Sequence, residues 1–97
     1  MNIPSKIKVG GLTYDVEIVE KMDDDSCVGK TYFQESKIKI GRAAPDFMLQ
    51  VLMHELVHTI NGEIPEVEVE FLAMSLFQII KDNPELFEGG GRNGRAK

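Results

Sequence analysis

The chain contains two histidines, His54 and His58, which stand four residues apart in the run His-Glu-Leu-Val-His. If this segment is helical, that spacing places both imidazoles on one face, about one turn apart. Two imidazoles so arranged can bind one divalent metal ion, and zinc is the ion that suits them best. Glu55 lies one helical step from His54, so its carboxylate can flank the ion without binding it. That position suits a general base acting on a metal-bound water.

A catalytic zinc site needs a third protein ligand and one open coordination position. Cys27 precedes the histidines in an early loop, so a carboxylate that follows His58 is the expected source. Four glutamates compete for this role: Glu63, Glu66, Glu68 and Glu70. On a helical wheel Glu70 borders an apolar arc, where a carboxylate must be paired or bind a cation. We therefore expect Glu70 to be the third ligand, with Glu66 as the next candidate.

The segment that carries the histidines has a helical period over residues 45–61. Pro45 suits the first turn of a helix, and Asp46 favours the positive end of the helix dipole. Five apolar residues share one face of the wheel: Leu49, Leu52, Met53, Leu56 and Ile60. The histidines fall on the opposite side. A second helix is predicted over residues 65–82, before Pro84 ends it.

Two strand pairs are predicted before the helices. Residues 3–20 alternate apolar and polar side chains around Gly10-Gly11, which predicts a β-hairpin that pairs Ile7 with Tyr14. Residues 28–33 and 37–40 predict a second hairpin. Strands followed by helices indicate an α+β domain, in which an antiparallel β-sheet of two N-terminal hairpins packs against two helices.

The length of 97 residues allows one small domain, which we place at residues 1–88. A flexible, Gly-rich basic tail is predicted over residues 89–97. Hydrophobic residues make up 42% of the chain and charged residues 28%, the balance of a folded protein. Three of the 11 basic residues lie in the tail, so the domain holds 8 basic and 16 acidic side chains. This net charge of −8 argues against nucleic acid as a partner.

The sequence also bears on the compartment and on stability. It has no apolar run long enough to span a bilayer and no signal-peptide core near its first residues. Its single cysteine, Cys27, cannot form an internal disulfide. We therefore expect a cytoplasmic protein without a membrane partner. Because a domain of this size is only marginally stable, a bound metal or contacts within a homo-oligomer would add stability.

Two stretches of the sequence carry a family resemblance. Met53-His54-Glu55-Leu56-Val57-His58, followed by Val69-Glu70-Phe71-Leu72-Ala73, resembles the zincin metallopeptidases of the gluzincin type. Within these, the chain is most similar to small phage- and mobile-element-encoded proteins related to the ImmA/IrrE group. The similarity covers roughly residues 28–87.

The resemblance implies a minimal zincin-like domain that hydrolyses a peptide bond in a peptide or protein substrate. It implies His54 and His58 as zinc ligands, Glu70 as the third ligand and Glu55 as the catalytic base that acts on a metal-activated water. It also implies that an extended substrate binds along an edge strand. Residues 37–40 are the predicted edge.

Two alternatives stay open at the level of sequence. In one, the chain is a non-catalytic zinc-binding module, in which the metal stabilises a small protein-interaction domain. In the other, no metal binds and the histidines lie on a solvated helix face. Hydrolysis also needs a group that stabilises an oxyanion. Tyr14, Tyr32 and Arg42 are the candidates, and no spacing selects one of them.

Overall fold

A computed structural model of the chain describes residues 2–88, so the tail predicted at residues 89–97 lies outside the described residues. The four strands are β1 (Lys6–Val9), β2 (Leu12–Val19), β3 (Gly29–Tyr32) and β4 (Lys37–Gly41). The two helices are α1 (Pro45–Ile60) and α2 (Glu66–Asp82), and short 3-10 helices span Phe33–Glu35 and Pro84–Phe87. Strands followed by two helices confirm the predicted α+β class.

The first hairpin forms with the predicted register. β1 and β2 pair antiparallel, with Ile7 opposite Tyr14. The turn contains Gly10 at a φ of +62°, a conformation that a glycine adopts without steric strain. Tyr14 and Val16 are buried, whereas Asp15 between them is exposed, so one face of the hairpin packs into the core as its alternation predicts.

The sheet is mixed, whereas an antiparallel sheet was expected. β3 and β4 form the predicted second hairpin, but β4 then pairs in parallel with β2, which gives the strand order β1-β2-β4-β3. β4 is therefore an interior strand, and the prediction of residues 37–40 as the edge was wrong. The strand at that edge is β3. The alternation of side chains fixes which face of a hairpin is buried, but it does not fix which of its strands joins the neighbouring hairpin.

The core lies between the sheet and α1. Ile38 and Ile40 of β4 are completely buried, and Leu52 of α1 is buried with them in one apolar cluster. The predicted apolar stripe of α1 is only partly confirmed, because Ile60 is 67% exposed whereas Val51 is buried. Val51 is buried because α1 contacts the sheet on one side and α2 on another, so its buried surface is wider than a single stripe, and Ile60 is exposed at the last position of the helix.

Helix α2 packs against α1 through one narrow face. Its buried residues are Val69, Ala73 and Phe77. At its far end Lys81 Nζ donates a hydrogen bond of 2.7 Å to Asp46 Oδ2 in the first turn of α1, so the two helices run antiparallel. This hydrogen bond raises the pKa of Lys81 above its ordinary value. Within residues 2–88, neither helix combines the length and the apolar character needed to cross a bilayer.

Candidate metal centre

Helix α1 presents both histidines on one face, as their spacing predicts. The ring centroids of His54 and His58 are 4.9 Å apart, and the ring planes meet at 67°. Their side chains are 18% and 24% exposed, so neither lies on a fully solvated face. The wheel placed them opposite the core, but the first turns of α2 lie alongside this face of α1. The imidazoles are therefore partly enclosed.

A carboxylate from α2 meets both imidazoles. Glu66 Oε2 lies 2.7 Å from Nε2 of His54, and Glu66 Oε1 lies 3.2 Å from Nε2 of His58. One ligand atom from each of the three side chains lies within 4.8 Å of the other two. Two imidazole nitrogens and one carboxylate oxygen at this separation can surround a single cation, and this is a donor set that zinc takes in catalytic sites.

Glu70, the predicted third ligand, occupies a different place. Its Oε1 lies 2.8 Å from Nδ1 of His54, on the opposite side of the ring from the nitrogen that faces Glu66. The structure therefore brings Glu66 into the group of three and places Glu70 behind His54. A carboxylate that accepts a hydrogen bond from Nδ1 holds the proton there, which leaves Nε2 with a lone pair for a metal.

Glu55 is the one charged side chain that is buried among the described residues, with an exposure of 7%. A buried carboxylate needs a hydrogen-bond partner, and Thr31 of β3 supplies it. The hydroxyl Oγ1 of Thr31 donates a hydrogen bond of 2.7 Å to Oε1 of Glu55. The carboxylate is therefore fixed by the edge strand rather than by the helices that carry the histidines.

Sequence reasoning missed Thr31, although a signal for it exists. Gly29 and Thr31 are the residues of β3 that face α1, whereas Ile38 and Ile40 of β4 are completely buried against the same core. A small residue and a hydroxyl at positions where the alternation predicts apolar side chains mark a place where the strand approaches something polar. A Cβ at position 29 would collide with Cγ1 of Val51, which confirms the close approach.

A cavity of about 580 Å³ lies between β3 and α1. His54, His58, Glu66, Glu70 and Glu55 all contribute to its wall. The predicted oxyanion candidates lie elsewhere. Tyr14 is buried in the core, Tyr32 lies beneath two lysine ammonium groups, and Arg42 donates a hydrogen bond to Glu20.

No protein family, curated protein or solved structure matched the chain in the comparisons. The argument for a function therefore depends on the geometry of this site.

Proposed function

We propose that this chain is a zinc-dependent metallopeptidase. One observation carries the proposal: two imidazoles and a carboxylate converge within 4.8 Å of one another, and a buried glutamate with a fixed orientation shares their cavity. The two imidazoles and the carboxylate alone would support only the binding of a metal ion. The added carboxylate in the same cavity supports hydrolysis, because such chemistry needs a base beside the metal-bound water.

In this proposal His54, His58 and Glu66 hold the ion, and Glu70 orients the ring of His54. The geometry favours Glu66 over Glu70 as the third ligand because Glu66 reaches the nitrogens of both rings, whereas Glu70 contacts one ring from behind. A zinc ion supplies Lewis acidity, which makes a water more acidic and polarises a substrate carbonyl. Three protein ligands leave the open position that such chemistry requires.

Glu55 serves as the general base. It accepts a proton from the attacking water and transfers that proton to the amine that leaves. The hydrogen bond from Thr31 occupies one carboxylate oxygen, so the second oxygen is left to take the proton. Because Glu55 is 7% exposed, little bulk water competes for this carboxylate.

The edge strand β3 offers a place for an extended peptide. β3 lines the cavity, and within residues 2–88 no strand pairs with its outer edge. A peptide that adds to this edge would bind through main-chain hydrogen bonds, in the manner of β-augmentation. The scissile bond would then lie between β3 and the metal-facing side chains of α1.

A second candidate function is a zinc-binding module without hydrolysis. It is favoured by the fact that His54 and His58 lie on α1 and Glu66 lies on α2, so that an ion bound by all three would crosslink the two helices. The hydrogen bond between Thr31 and Glu55 weighs against it. A purely structural ion has no need of a buried carboxylate that is held beside it.

The test compares the wild type with Glu55→Gln and with Glu68→Gln as a matched control on an exposed part of α2. Each protein is loaded with zinc, its zinc content is measured by mass spectrometry, and its cleavage of a peptide library is followed. We expect one zinc per chain in all three and cleavage by the wild type and Glu68→Gln alone. Zinc binding without cleavage by the wild type would favour the module, and a wild type that binds no zinc would refute both functions.

A further inference from the structure

A cluster of positive charge lies on the face of the sheet opposite α1. Ile38 and Ile40 of β4 are buried against α1, so Lys37 and Lys39, which alternate with them, point to the other face. On β3, Lys30 is the partner of Lys39 and therefore points the same way. Neither strand contains an acidic residue. This part of the sheet is therefore basic, in a domain whose net charge is −8.

Tyr32 brings two of these charges together on the edge strand. Nζ of Lys30 and Nζ of Lys39 each lie 5.3 Å from the centre of its ring. Lys39 belongs to β4, so its side chain crosses towards β3 to reach this position. The face of an aromatic ring attracts cations, which offsets the repulsion between the two ammonium groups. The side chain of Lys39 is 26% exposed, compared with 69% for Lys6 on the opposite edge strand, so packing already holds it in place.

The chain itself leaves these two ammonium groups poorly neutralised. Within residues 2–88, Asp23 has the one carboxylate within 4.0 Å of either group, and its Oδ2 lies at that distance from Nζ of Lys39. This distance is too long for a hydrogen bond, and the side chain of Asp23 is 82% exposed. Asp24, the next residue, accepts hydrogen bonds from Ser26. A carboxylate from another molecule can therefore approach both ammonium groups.

We propose that Lys30, Lys39 and Tyr32 bind an acidic side chain of the peptide that adds to the edge of β3. This inference rests on the peptide site of the proposed function and gives its substrate a charge preference. In an added strand, the residue opposite Thr31 points towards Glu55, and the residues on either side of it point to the outer face. A glutamate or aspartate there lies beside the lysines, and opposite charges on neighbouring strands attract. The acidic residue is therefore next to the one that faces the proposed base.

A peptide fits this cluster better than a nucleic acid does. A nucleic acid carries one charge per nucleotide and needs a basic surface that continues along its backbone. Here the basic surface is short, and the three aspartates at residues 23–25 lie at its end beside Lys39. Within residues 2–88, β3 also has a free edge, whose main-chain groups suit an extended peptide.

The test measures peptide binding without cleavage. Three heptapeptides with a neutral fluorophore alternate valine with glutamate, glutamine or lysine, and each is titrated into the zinc-loaded Glu55→Gln full chain by fluorescence anisotropy. We expect the glutamate peptide to bind about fivefold more tightly than the glutamine peptide and about 20-fold more tightly than the lysine peptide, because the outward positions gain or lose opposite-charge pairs. These ratios should shrink in about 0.5 M salt, which screens exposed charges.

Variants in the same Glu55→Gln background assign the preference to the cluster. Lys30→Glu should remove the preference for the glutamate peptide and bring the lysine peptide to within about twofold of it, and Lys39→Glu should reduce the preference partway. Tyr32→Leu removes the ring that holds the two ammonium groups and should reduce the preference by about half. Lys8→Glu is the matched control, because Lys8 is exposed on the same face at the opposite edge of the sheet and its reversal changes the net charge equally.

The outcomes separate this preference from the peptidase proposal. Equal binding of the three peptides, or an equal loss of preference in Lys8→Glu and Lys30→Glu, refutes the acidic-residue site and leaves the peptidase proposal standing. Tighter binding of a single-stranded oligothymidylate than of the glutamate peptide also refutes it, in favour of a nucleic-acid surface. If no peptide binds, the peptide site and its preference are both refuted.

Absence of zinc from the chain would refute the peptidase proposal alone, because binding at the edge of β3 needs neither zinc nor hydrolysis. A preference that is lost in Lys30→Glu and kept in Lys8→Glu supports the acidic-residue site.

Discussion

The two helices contribute to the candidate metal centre in different ways. The imidazoles on α1 are 18% and 24% exposed, and Glu55 beside them is buried. The carboxylates on α2 are far more open, with side-chain exposures of 70% for Glu66 and 61% for Glu70. Packing therefore fixes the residues of α1, whereas the glutamates of α2 are held mainly by the imidazoles that they contact.

This difference follows from how the helices are packed. α1 lies between the sheet and α2, and six of its residues are buried, whereas three residues of α2 are buried. A side chain that packing already holds loses little conformational freedom when an ion binds, but an exposed glutamate loses more. We therefore expect the free energy of zinc binding to come chiefly from the histidines, with smaller contributions from the two carboxylates.

The largest effect is expected from the α1 half of the site. His54→Ala removes one ligand and also leaves Glu66 and Glu70 without their shared partner. We expect zinc affinity to fall more than about 100-fold, which exceeds the usual effect of losing an outer-sphere residue. Competition with a chromogenic chelator measures it, and Glu68→Gln is the control. If zinc affinity falls no further than in Glu70→Gln, the expectation that the histidines of α1 contribute more binding free energy than the carboxylates of α2 is contradicted.

The second effect separates the two carboxylates of α2. Glu66→Gln should weaken zinc binding more than Glu70→Gln, because under the proposal the first change alters a ligand and the second alters only the group that orients His54. For Glu70→Gln we expect a loss of about tenfold. The same chelator competition ranks the two variants. A larger loss for Glu70→Gln would restore Glu70 as the third ligand, as the sequence predicted.

The smallest effect on zinc affinity is expected at β3, because its Thr31 contacts Glu55 and none of the three proposed ligands. Thr31→Val keeps the shape of the side chain and removes the hydrogen bond to Glu55, so zinc affinity should stay within about twofold. Hydrolysis should fall by about tenfold or more, since hydrogen bonds to charged groups contribute about 1.5–3 kcal/mol. Thr31→Ser should recover most of the activity. Equal activity of the valine and serine variants would show that the hydroxyl does not position Glu55.

The sequence predicted the α1 half of this site better than the rest. The spacing of His54 and His58 and the helical period around them are local features, and so is the first hairpin with Ile7 opposite Tyr14. The place of β4 beside β2 depends on pairing between distant segments, which side-chain alternation does not encode. For the same reason the edge strand could not be identified, and the small and hydroxyl residues Gly29 and Thr31 marked a close approach without showing to which helix.

The choice between Glu66 and Glu70 shows a second limit of local reasoning. A helical wheel gives the angle of each residue about its own axis, but it does not give the angle at which α2 crosses α1 or the height at which the two helices meet. Both glutamates face α1. The height of α2 places the carboxylate of Glu66 beside Nε2 of His54 and Nε2 of His58. That height is set by residues 61–65 and by the packing of Val69 and Ala73.

The connection between the helices has a consequence for how such a chain could diverge. Glu66 and Glu70 touch opposite nitrogens of one ring, so both depend on a single rotational setting of α2. One residue deleted from residues 61–65 would have to be made up by the first turn of α2, and Glu66 in that turn would leave its place beside the two rings. Surface loops ordinarily tolerate changes in length. Here we expect descendants to keep the length of this connection while its composition drifts.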